Sequence, residues 1–350
     1  MQKLKIAVAG AGLIGRTHIQ LVQASADCEL AAIVDPADQA RELAADAGVA
    51  QFKSLAELFA AERPDGVILA TPNQLHVAQS LECIEAGVAA LIEKPVAHSV
   101  EEGLKLCRAA ETSGARLLVG HHRAHSPILA QARRIVLDDT LGELVAITGS
   151  AMFYKPDDYF DAAPWRRQAG GGPVLINMIH EIGNLRYLAG EIIEVQAMAS
   201  SARRRFPVED TVAINLRFAN GALGTFMLSD TAASARSWEQ TSQENKSYST
   251  YPDEDCYVIA GTDGSLAVPT MRLKRFLRKD DRSWWKPFDC SVVDLQRTDP
   301  LEAQLQHFCA LVRGEAQPVV SVRDGLQNLR VTEAISEAAR TGAIVQVPLD

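Results

Sequence analysis

The feature that most constrains how this chain can fold is a glycine-rich turn close to its N-terminus. Gly10, Gly12 and Gly15 fit the pattern Gly-x-Gly-x-x-Gly, where x is any residue. The apolar run 4–9 before the turn predicts a buried strand, and residues 14–24 carry apolar side chains at helical spacing. A strand, a glycine turn and a helix in this order predict the start of a parallel sheet whose strands alternate with helices.

The same turn predicts a binding site for a dinucleotide. Gly10 would allow the tight turn, Gly12 would let a pyrophosphate approach the backbone, and Gly15 would let the helix pack closely on the strand. The first helical residues, Leu13 and Ile14, would then direct backbone N–H groups at the phosphates.

An acidic residue follows at the position that selects between the two nicotinamide dinucleotides. Asp35 lies twenty residues after Gly15, at the end of the second predicted strand. Its carboxylate would accept hydrogen bonds from the adenosine ribose hydroxyls and would repel a 2′-phosphate. We therefore predict NAD as the cofactor, with NADP the less favoured of the two.

The chain changes character at about residue 122. Before that point, short apolar strands alternate with helices, which predicts an α/β domain of the Rossmann type with a doubly wound parallel sheet over residues 1–122. Beyond it, strand signals dominate and several alternate apolar with polar residues, with a hairpin signal at Asn220-Gly221. We predict a substrate-binding and oligomerisation domain over 123–350, of the α+β class, with a large, mainly antiparallel open sheet.

Composition excludes several classes of function. The 350 residues carry a net charge of −9, which argues against a nucleic-acid surface, and no apolar stretch is long enough to span a membrane. The N-terminus runs directly into the first strand, which leaves no signal peptide, and the six cysteines are widely spaced. These features predict a cytoplasmic protein that acts on a small molecule.

Further polar residues follow predicted strands, where parallel sheets bind their ligands. They lie in the segments Thr71-Pro72-Asn73-Gln74-Leu75-His76, Glu93-Lys94-Pro95 and Gly120-His121-His122-Arg123. A second group comprises Trp165-Arg166, the three glycines 170–172, and a helix with Asn177 and His180.

With these motifs the chain resembles the Gfo/Idh/MocA oxidoreductases, the family named for glucose–fructose oxidoreductase and inositol dehydrogenase. The resemblance covers most of the chain, in the same order and spacing. It implies an enzyme that oxidises or reduces a CH–OH group of a sugar, cyclitol or related polyol, and a homodimer or homotetramer.

The resemblance also implies roles for individual residues. Lys94 and His180 match the catalytic lysine and histidine of the family, and a neutral His is a suitable base for an alcohol proton. Cofactor contacts are expected at the glycine turn, Asp35, Thr71, Pro72, Asn73, His76, Glu93 and Lys94. Substrate contacts are expected at Lys94, Arg123, Trp165, Arg166, Asn177 and His180.

The chain departs from the family pattern beside the histidine. Members commonly carry an Asp four residues before it, where this chain has Ile176. Asn177, one helical turn before His180, can hydrogen-bond a substrate hydroxyl but cannot titrate. We therefore expect Lys94 and His180 to carry the chemistry, with Asn177 as a third candidate for the site.

Several alternatives stay open at this stage. His121, His122, His125 and His180 could be imagined as metal ligands, but their spacing matches no zinc motif, and we predict no metal. The enzyme could act on a non-carbohydrate cyclic diol or an imine, or the chain could be a non-catalytic NAD sensor. His76 could pack instead of touching the cofactor.

Two expectations concern the predicted substrate domain. Arg123, Lys155, Trp165 and Arg166 match or flank positions that line the substrate pocket in the family. Arg123 and Arg166 could hold a substrate carboxylate, or they could pair with Asp157, Asp158 or Asp161 and only hold the site together. The polar segment 231–255 is too long for a plain connection, so we expect it to border the substrate or a subunit contact.

Overall fold

The structure, a computed structural model, describes residues 2–349 and separates into two compact units. The first unit contains the chain up to His125 together with Pro300–Leu329, and the second contains Ser126–Asp299 together with the chain from Arg330 onward. The division expected from the sequence, 1–122 and 123–350, differs from this chiefly because the segment Pro300–Leu329 returns to the first unit.

The first unit is built on a six-stranded parallel sheet with the order β3-β2-β1-β4-β5-β6. Its strands are β1 (Leu4–Ala9), β2 (Cys28–Val34), β3 (Ala50–Phe52), β4 (Gly66–Leu69), β5 (Ala89–Glu93) and β6 (Leu117–Gly120). Its helices are α1 (Leu13–Ala24), α2 (Gln39–Ala47), α3 (Leu55–Ala61), α4 (His76–Ala86), α5 (Val100–Ser113) and α10 (Pro300–Arg313), with a 3₁₀ turn at His122–His125.

Apolar strands fix this sheet between two layers of helices. All four residues of β4 are buried, as are all five of β5, and separate apolar clusters lie on the two faces. Strands without a polar face form where helices cover both sides of a sheet. The carboxyl ends of β1, β2, β4 and β5 therefore bring the predicted cofactor segments to one edge of this sheet.

The second unit contains a nine-stranded sheet with the order β14-β13-β12-β11-β7-β10-β9-β8-β15. Its strands are β7 (Leu144–Met152), β8 (Ile192–Ser200), β9 (Thr211–Phe218), β10 (Leu223–Ser229), β11 (Tyr257–Gly261), β12 (Gly264–Val268), β13 (Arg272–Arg275), β14 (Asp289–Val292) and β15 (Val345–Gln346). Its helices are α6 (Pro127–Leu137), α7 (Asp157–Asp161), α8 (Ile179–Ala189) and α9 (Trp238–Thr241), and α11 (Val322–Thr341) begins in the first unit and ends in this one.

This sheet is antiparallel apart from the pair formed by β7 and β10. Along β9 buried and exposed residues alternate, so one face packs on the core and the other is exposed on this chain. Gly221, at φ +90°, makes the hairpin turn between β9 and β10 that Asn220-Gly221 predicts. The predicted fold class, an α/β Rossmann-type sheet followed by an α+β domain with a large antiparallel sheet, is confirmed.

The segment 231–255 is not a plain loop. It contains the short helix α9, and the side chain of Trp238 is buried in the core of the second unit. Trp238 Nε1 donates to Glu244 Oε2 at 3.1 Å, and Ser126 Oγ donates to Glu244 Oε1 at 2.5 Å. These contacts tie the segment to the core, while Tyr248 and Tyr251 are about half exposed.

Among residues 2–349, no helix combines the length and the apolar character needed to cross a membrane. The cysteines are free thiols, and all but Cys290 are buried.

Phe308 explains why α10 belongs to the first unit. Its side chain is fully buried, and a Cβ added at Gly66 of β4 would lie 2.9 Å from the Phe308 ring. We predict that Phe308→Ala lowers the free energy of unfolding by about 3–5 kcal/mol, because it leaves a cavity between α10 and the sheet. Urea denaturation measures this, with Phe288→Ala as the control since Phe288 is 45% exposed. Equal effects of both variants would contradict this placement of α10.

Candidate active site

The glycine turn has the geometry of a dinucleotide site. Gly10 has φ +95°, and a Cβ there would lie 2.5 Å from the Ala70 carbonyl oxygen. A Cβ at Gly15 would overlap the Gly10 carbonyl oxygen, whereas a Cβ at Gly12 would meet nothing within 4 Å. Helix α1 starts at Leu13 without a side-chain cap. Open space in front of uncapped helical N–H groups fits a pyrophosphate.

Asp35 is held beside this turn by backbone donors. The N–H of Ala11 donates to Asp35 Oδ2 at 2.8 Å, and the N–H of Ala37 donates to Oδ1 at 2.9 Å. Each carboxylate oxygen keeps a second lone pair, so the group can still accept hydrogen bonds from a ribose. The two backbone bonds fix the position of the carboxylate before any ligand binds.

The segment after β4 is braced against the segment after β5 through His76. His76 is buried, and its Nδ1 lies 2.8 Å from the Pro95 carbonyl oxygen while Nε2 lies 2.9 Å from that of Thr71. Burial lowers the pKa of His76, although both carbonyl oxygens oppose this shift. Backbone groups engage both ring nitrogens, so the structure favours packing over cofactor contact for His76. Thr71 Oγ1 donates to Gln79 Oε1 at 2.6 Å, and the exposed Pro72 and half-buried Asn73 complete the turn.

Glu93, expected as a cofactor contact, is turned inward. Its side chain is buried, and Oε1 lies 2.9 Å from His18 Nε2 of α1. Oε2 accepts the backbone N–H of Lys94 at 3.1 Å. Burial favours the neutral carboxyl, but the hydrogen bond and charge of His18, together with Lys94 and His122, lower the pKa of Glu93 to about 2.

The pair of His18 and Glu93 therefore links the cofactor helix to Lys94. One carboxylate group contacts both a side chain of α1 and the backbone of Lys94, whose peptide bond to Pro95 is cis. Lys94 is thus anchored through its backbone at the same sheet edge as the glycine turn. His18 is a residue that sequence reasoning missed, although it falls on the buried face of α1.

Arg123 follows β6 in the 3₁₀ turn and is buried. The neighbouring histidines contact side chains of the same unit. His121 Nε2 lies 3.2 Å from Asn328 Nδ2, and the His125 ring lies 5.2 Å from that of His307, centroid to centroid. The described part of the chain contains no cluster of His, Cys, Asp and Glu that could hold a metal ion.

In the second unit, Arg166 is held by an aromatic ring. Its guanidinium carbon lies 3.8 Å from the Tyr159 ring centroid, and Nη1 donates to the Tyr159 carbonyl oxygen. Arg166 Nε is buried without a hydrogen-bond partner among residues 2–349. The structure instead pairs Asp161 with Arg167 and Asp157 with Arg204. Trp165 is half exposed.

The helix that carries His180 begins with an irregular turn. Residues Val174–Met178 form a π-helical turn that continues into α8, and Glu209 Oε1 caps it by accepting the Val174 N–H at 3.0 Å. Burial raises the pKa of Glu209. His180 is 9% exposed, and the adjacent Glu181 points into the core, where it accepts the Tyr257 hydroxyl.

Asn177 contacts Lys155, a buried lysine that the resemblance places at or beside the substrate pocket. Lys155 Nζ donates to Asn177 Oδ1 at 2.6 Å and lies 3.7 Å from Asp230 Oδ2. Asp230 also accepts from Arg204 Nε at 2.8 Å. Burial raises the pKa of Asp230, and the charges of Lys155 and Arg204 oppose that shift. The pairing of Lys155 with Asp230 had no local signal in the sequence, because the two residues are far apart along the chain.

Two family models match the chain, one in each of the two units. The family model described as an oxidoreductase family with an NAD-binding Rossmann fold matches residues 4–121. A second model, the GFO/IDH/MocA C-terminal domain, matches residues 129–267. Together these matches span more than half of the chain.

Similar proteins extend over the whole chain. The rhizopine catabolism protein MocA of Rhizobium meliloti is 26% identical, with 96% of this chain and 95% of that protein covered. The scyllo-inositol 2-dehydrogenase (NAD(+)) of Bacillus subtilis is 26% identical, with 99% and 96% covered. The crystal structure of the WlbA dehydrogenase from Bordetella pertussis in complex with NADH and UDP-GlcNAcA has a TM-score of 0.78 at 26% identity, with 100% of both chains covered.

Fold and site thus define an NAD-binding oxidoreductase with a Rossmann domain. The chain belongs to the Gfo/Idh/MocA family of oxidoreductases, as its motifs predicted, and it is an enzyme of the dehydrogenase and reductase class.

The contact between His18 and Glu93 can be tested by a mutant cycle. We predict that His18→Leu destabilises the protein by about 3–5 kcal/mol at neutral pH, because it leaves the buried Glu93 carboxylate without its partner. The loss should shrink below the ordinary carboxyl pKa, where Glu93 can take up a proton. Adding Glu93→Gln should restore much of the stability at pH 7. Urea unfolding measures all three variants, and purely additive effects would contradict the pairing.

Proposed function

We propose that this protein is an NAD-dependent dehydrogenase that transfers a hydride between nicotinamide and a secondary alcohol or ketone of a sugar, cyclitol or sugar acid. The observation that carries the proposal is the position of Lys94. Its backbone is anchored by Glu93 at the sheet edge that also holds the glycine turn and Asp35. A cationic side chain at that edge can stabilise the alkoxide of an alcohol that passes its hydride to the cofactor.

The first unit would hold NAD through groups that are already in place. The uncapped N-terminus of α1 at Leu13 and Ile14 would receive the pyrophosphate, and Asp35 would receive the adenosine ribose. When bound, the nicotinamide supplies the acceptor or donor of the hydride. Thr71, Pro72 and Asn73 follow β4 at the same edge and would complete the cofactor pocket. We assign His76 and Glu93 to positioning, because their polar atoms are engaged within the protein.

The proton of the substrate hydroxyl must leave as the hydride leaves its carbon. We assign the base to His180, because a neutral imidazole nitrogen can accept the hydroxyl proton. We assign stabilisation of the alkoxide oxygen to Lys94, since a fixed positive charge lowers the cost of the developing negative charge. Arg123, Trp165, Arg166 and Asn177 are proposed to bind the rest of the substrate.

The substrate class is the least determined part of the proposal. Relatives named for scyllo-inositol oxidation and a neighbour bound to UDP-GlcNAcA support a polyhydroxylated ring or a sugar acid. The buried, unsatisfied Nε of Arg166 supports a substrate with acceptor oxygens. We further propose that the protein works in the cytoplasm as a homodimer or homotetramer.

A substrate panel tests the proposal. Purified protein is incubated with NAD⁺ and a panel of inositols, aldoses and sugar acids, and NADH absorbance is followed. We expect turnover of at least one member, unaffected by a metal chelator. Turnover confined to a cyclic dihydrodiol or an imine would replace the proposed substrate class, and NAD binding without turnover of any compound would favour a sensor.

We predict that Asp35→Ala weakens NAD binding and reduces the preference for NAD over NADP. The substitution removes the ribose acceptor and the repulsion of a 2′-phosphate. Fluorescence titration with NADH and NADPH measures both dissociation constants, with Asp38→Ala on the neighbouring exposed turn as the control. A wild-type protein that binds NADPH more tightly than NADH would contradict the role given to Asp35.

We predict that Lys94→Ala lowers kcat by about 10²–10³-fold, because it removes the charge that stabilises the alkoxide. The dissociation constant for NADH should change little. Lys53→Ala serves as the matched control, since Lys53 is exposed in the same unit. A Lys94→Ala enzyme that keeps most of its kcat would remove Lys94 from the mechanism.

A further inference from the structure

The second unit buries a lysine ammonium group immediately after β7. The Lys155 side chain is only 9% exposed, and its Nζ lies 4.9 Å from the Tyr159 ring centroid and 5.5 Å from that of Phe153. A charge in such surroundings persists only when it is paired and hydrogen-bonded. The structure supplies both requirements through Asp230 and Asn177.

Asp230 keeps Lys155 in a fixed position. Its carboxylate is 3% exposed and lies between the Lys155 ammonium and the Arg204 guanidinium. The Lys155 backbone N–H also donates to the Asp230 carbonyl oxygen at 2.9 Å, and Arg204 Nη2 donates to the Lys155 carbonyl oxygen at 2.7 Å. Both the backbone and the side chain of Lys155 are therefore held.

This arrangement determines how the Asn177 amide is oriented. An ammonium group can only donate, so the atom 2.6 Å from Lys155 Nζ must be the amide oxygen of Asn177. The amide NH₂ group is therefore directed away from Lys155. Asn177 precedes His180 by three residues and lies in the π-helical turn that leads directly into α8, so the two residues are neighbours at the start of this helix.

We propose that Lys155 is a positioning residue that turns Asn177 into a hydrogen-bond donor toward the substrate oxygen at the reacting carbon. A carboxylate in this part of the site would accept a hydrogen bond, whereas the oriented amide gives one. The inference rests on the proposed function and adds to it a donor that binds the oxygen as its negative charge develops.

In the proposed reaction the hydride and the proton leave the alcohol toward different acceptors. In oxidation the C–H bond breaks and its electron pair leaves as hydride to NAD⁺, while the O–H proton passes to His180 and the carbonyl forms. Asn177 takes no proton; its N–H stabilises the oxygen while that oxygen carries charge. The same contact would polarise the carbonyl in the reverse reaction.

A substitution of Asn177 by a residue of the same shape tests whether its side chain acts as a hydrogen-bond donor. Asn177→Asp keeps the contact with Lys155 but cannot donate once ionised. We expect kcat to fall about 10- to 100-fold on the best substrate of the panel, the scale of a hydrogen bond to a charged group. The urea midpoint should be unchanged or higher, because an ion pair replaces a neutral contact. An Asn177→Asp enzyme as active as the wild type, or more active, would overturn the proposal.

A second variant tests whether Lys155 acts through Asn177. Lys155→Met should lower kcat to a similar degree with little change in the dissociation constant for NADH. The double variant Lys155→Met/Asn177→Asp should lose little more activity than either single variant, because both remove the same oriented donor. Lys274→Met, at an exposed lysine of the same unit, is the matched control and should match the wild type. Losses that multiply in the double variant would overturn the proposal.

Unfolding measurements separate this proposal from the proposed function. A urea cycle of Lys155→Met and Asn177→Ala should show smaller combined destabilisation than the sum of the single effects, whatever the substrate is. Additive effects would overturn the contact itself. If the urea cycle shows coupling between Lys155 and Asn177 but the wild-type protein oxidises no compound of the panel, the contact stands and the proposed function is wrong.

Discussion

The buried carboxylate of Glu93 is the group on which the cofactor side of the site depends. Its oxygens contact the His18 ring of α1 and accept the backbone N–H of Lys94 after β5. One carboxylate therefore connects the helix of the glycine turn to Lys94. A buried charge without such partners would cost several kcal/mol. Because the pairing fixes the end of β5, Lys94 reaches its place without a loop that would have to order on binding.

The second unit also contains a buried charge that needs partners, but there the buried charge is positive. Here the buried group is the Lys155 ammonium, and Asp230 and Asn177 are its partners. In both units a buried ion forms hydrogen bonds with groups of the protein. These bonds fix the Lys94 backbone in the first unit and the Asn177 amide in the second. The residues that we propose for the site, Lys94 and Asn177, are thus oriented by groups of the protein itself.

Much of the Rossmann-type unit could be predicted because its signals are local. The glycine pattern, the apolar strands and the positive φ at Gly10 all follow from residues adjacent in the chain. The helix α3 was missed although Ser54 caps it by accepting the Glu57 N–H at 3.2 Å, a Ser-x-x-Glu signature visible in the sequence.

The partners of Glu93 and Lys155 could not be predicted in this way. Since 75 residues separate His18 from Glu93 and Asp230 is equally distant from Lys155, only the folded sheets bring them together. The return of α10 to the first sheet had no signal either, because an amphipathic helix does not specify which sheet it covers.

The most direct test of the account follows the hydride itself. The enzyme and NAD⁺ are incubated with a polyol of the panel that carries deuterium on the carbon of its reacting alcohol. The mass of the recovered NADH is then measured by mass spectrometry. We expect one deuterium in the NADH and a ketone at the same carbon of the product. NADH that forms without deuterium, or a labelled polyol that stays unchanged while NAD remains bound, would contradict it.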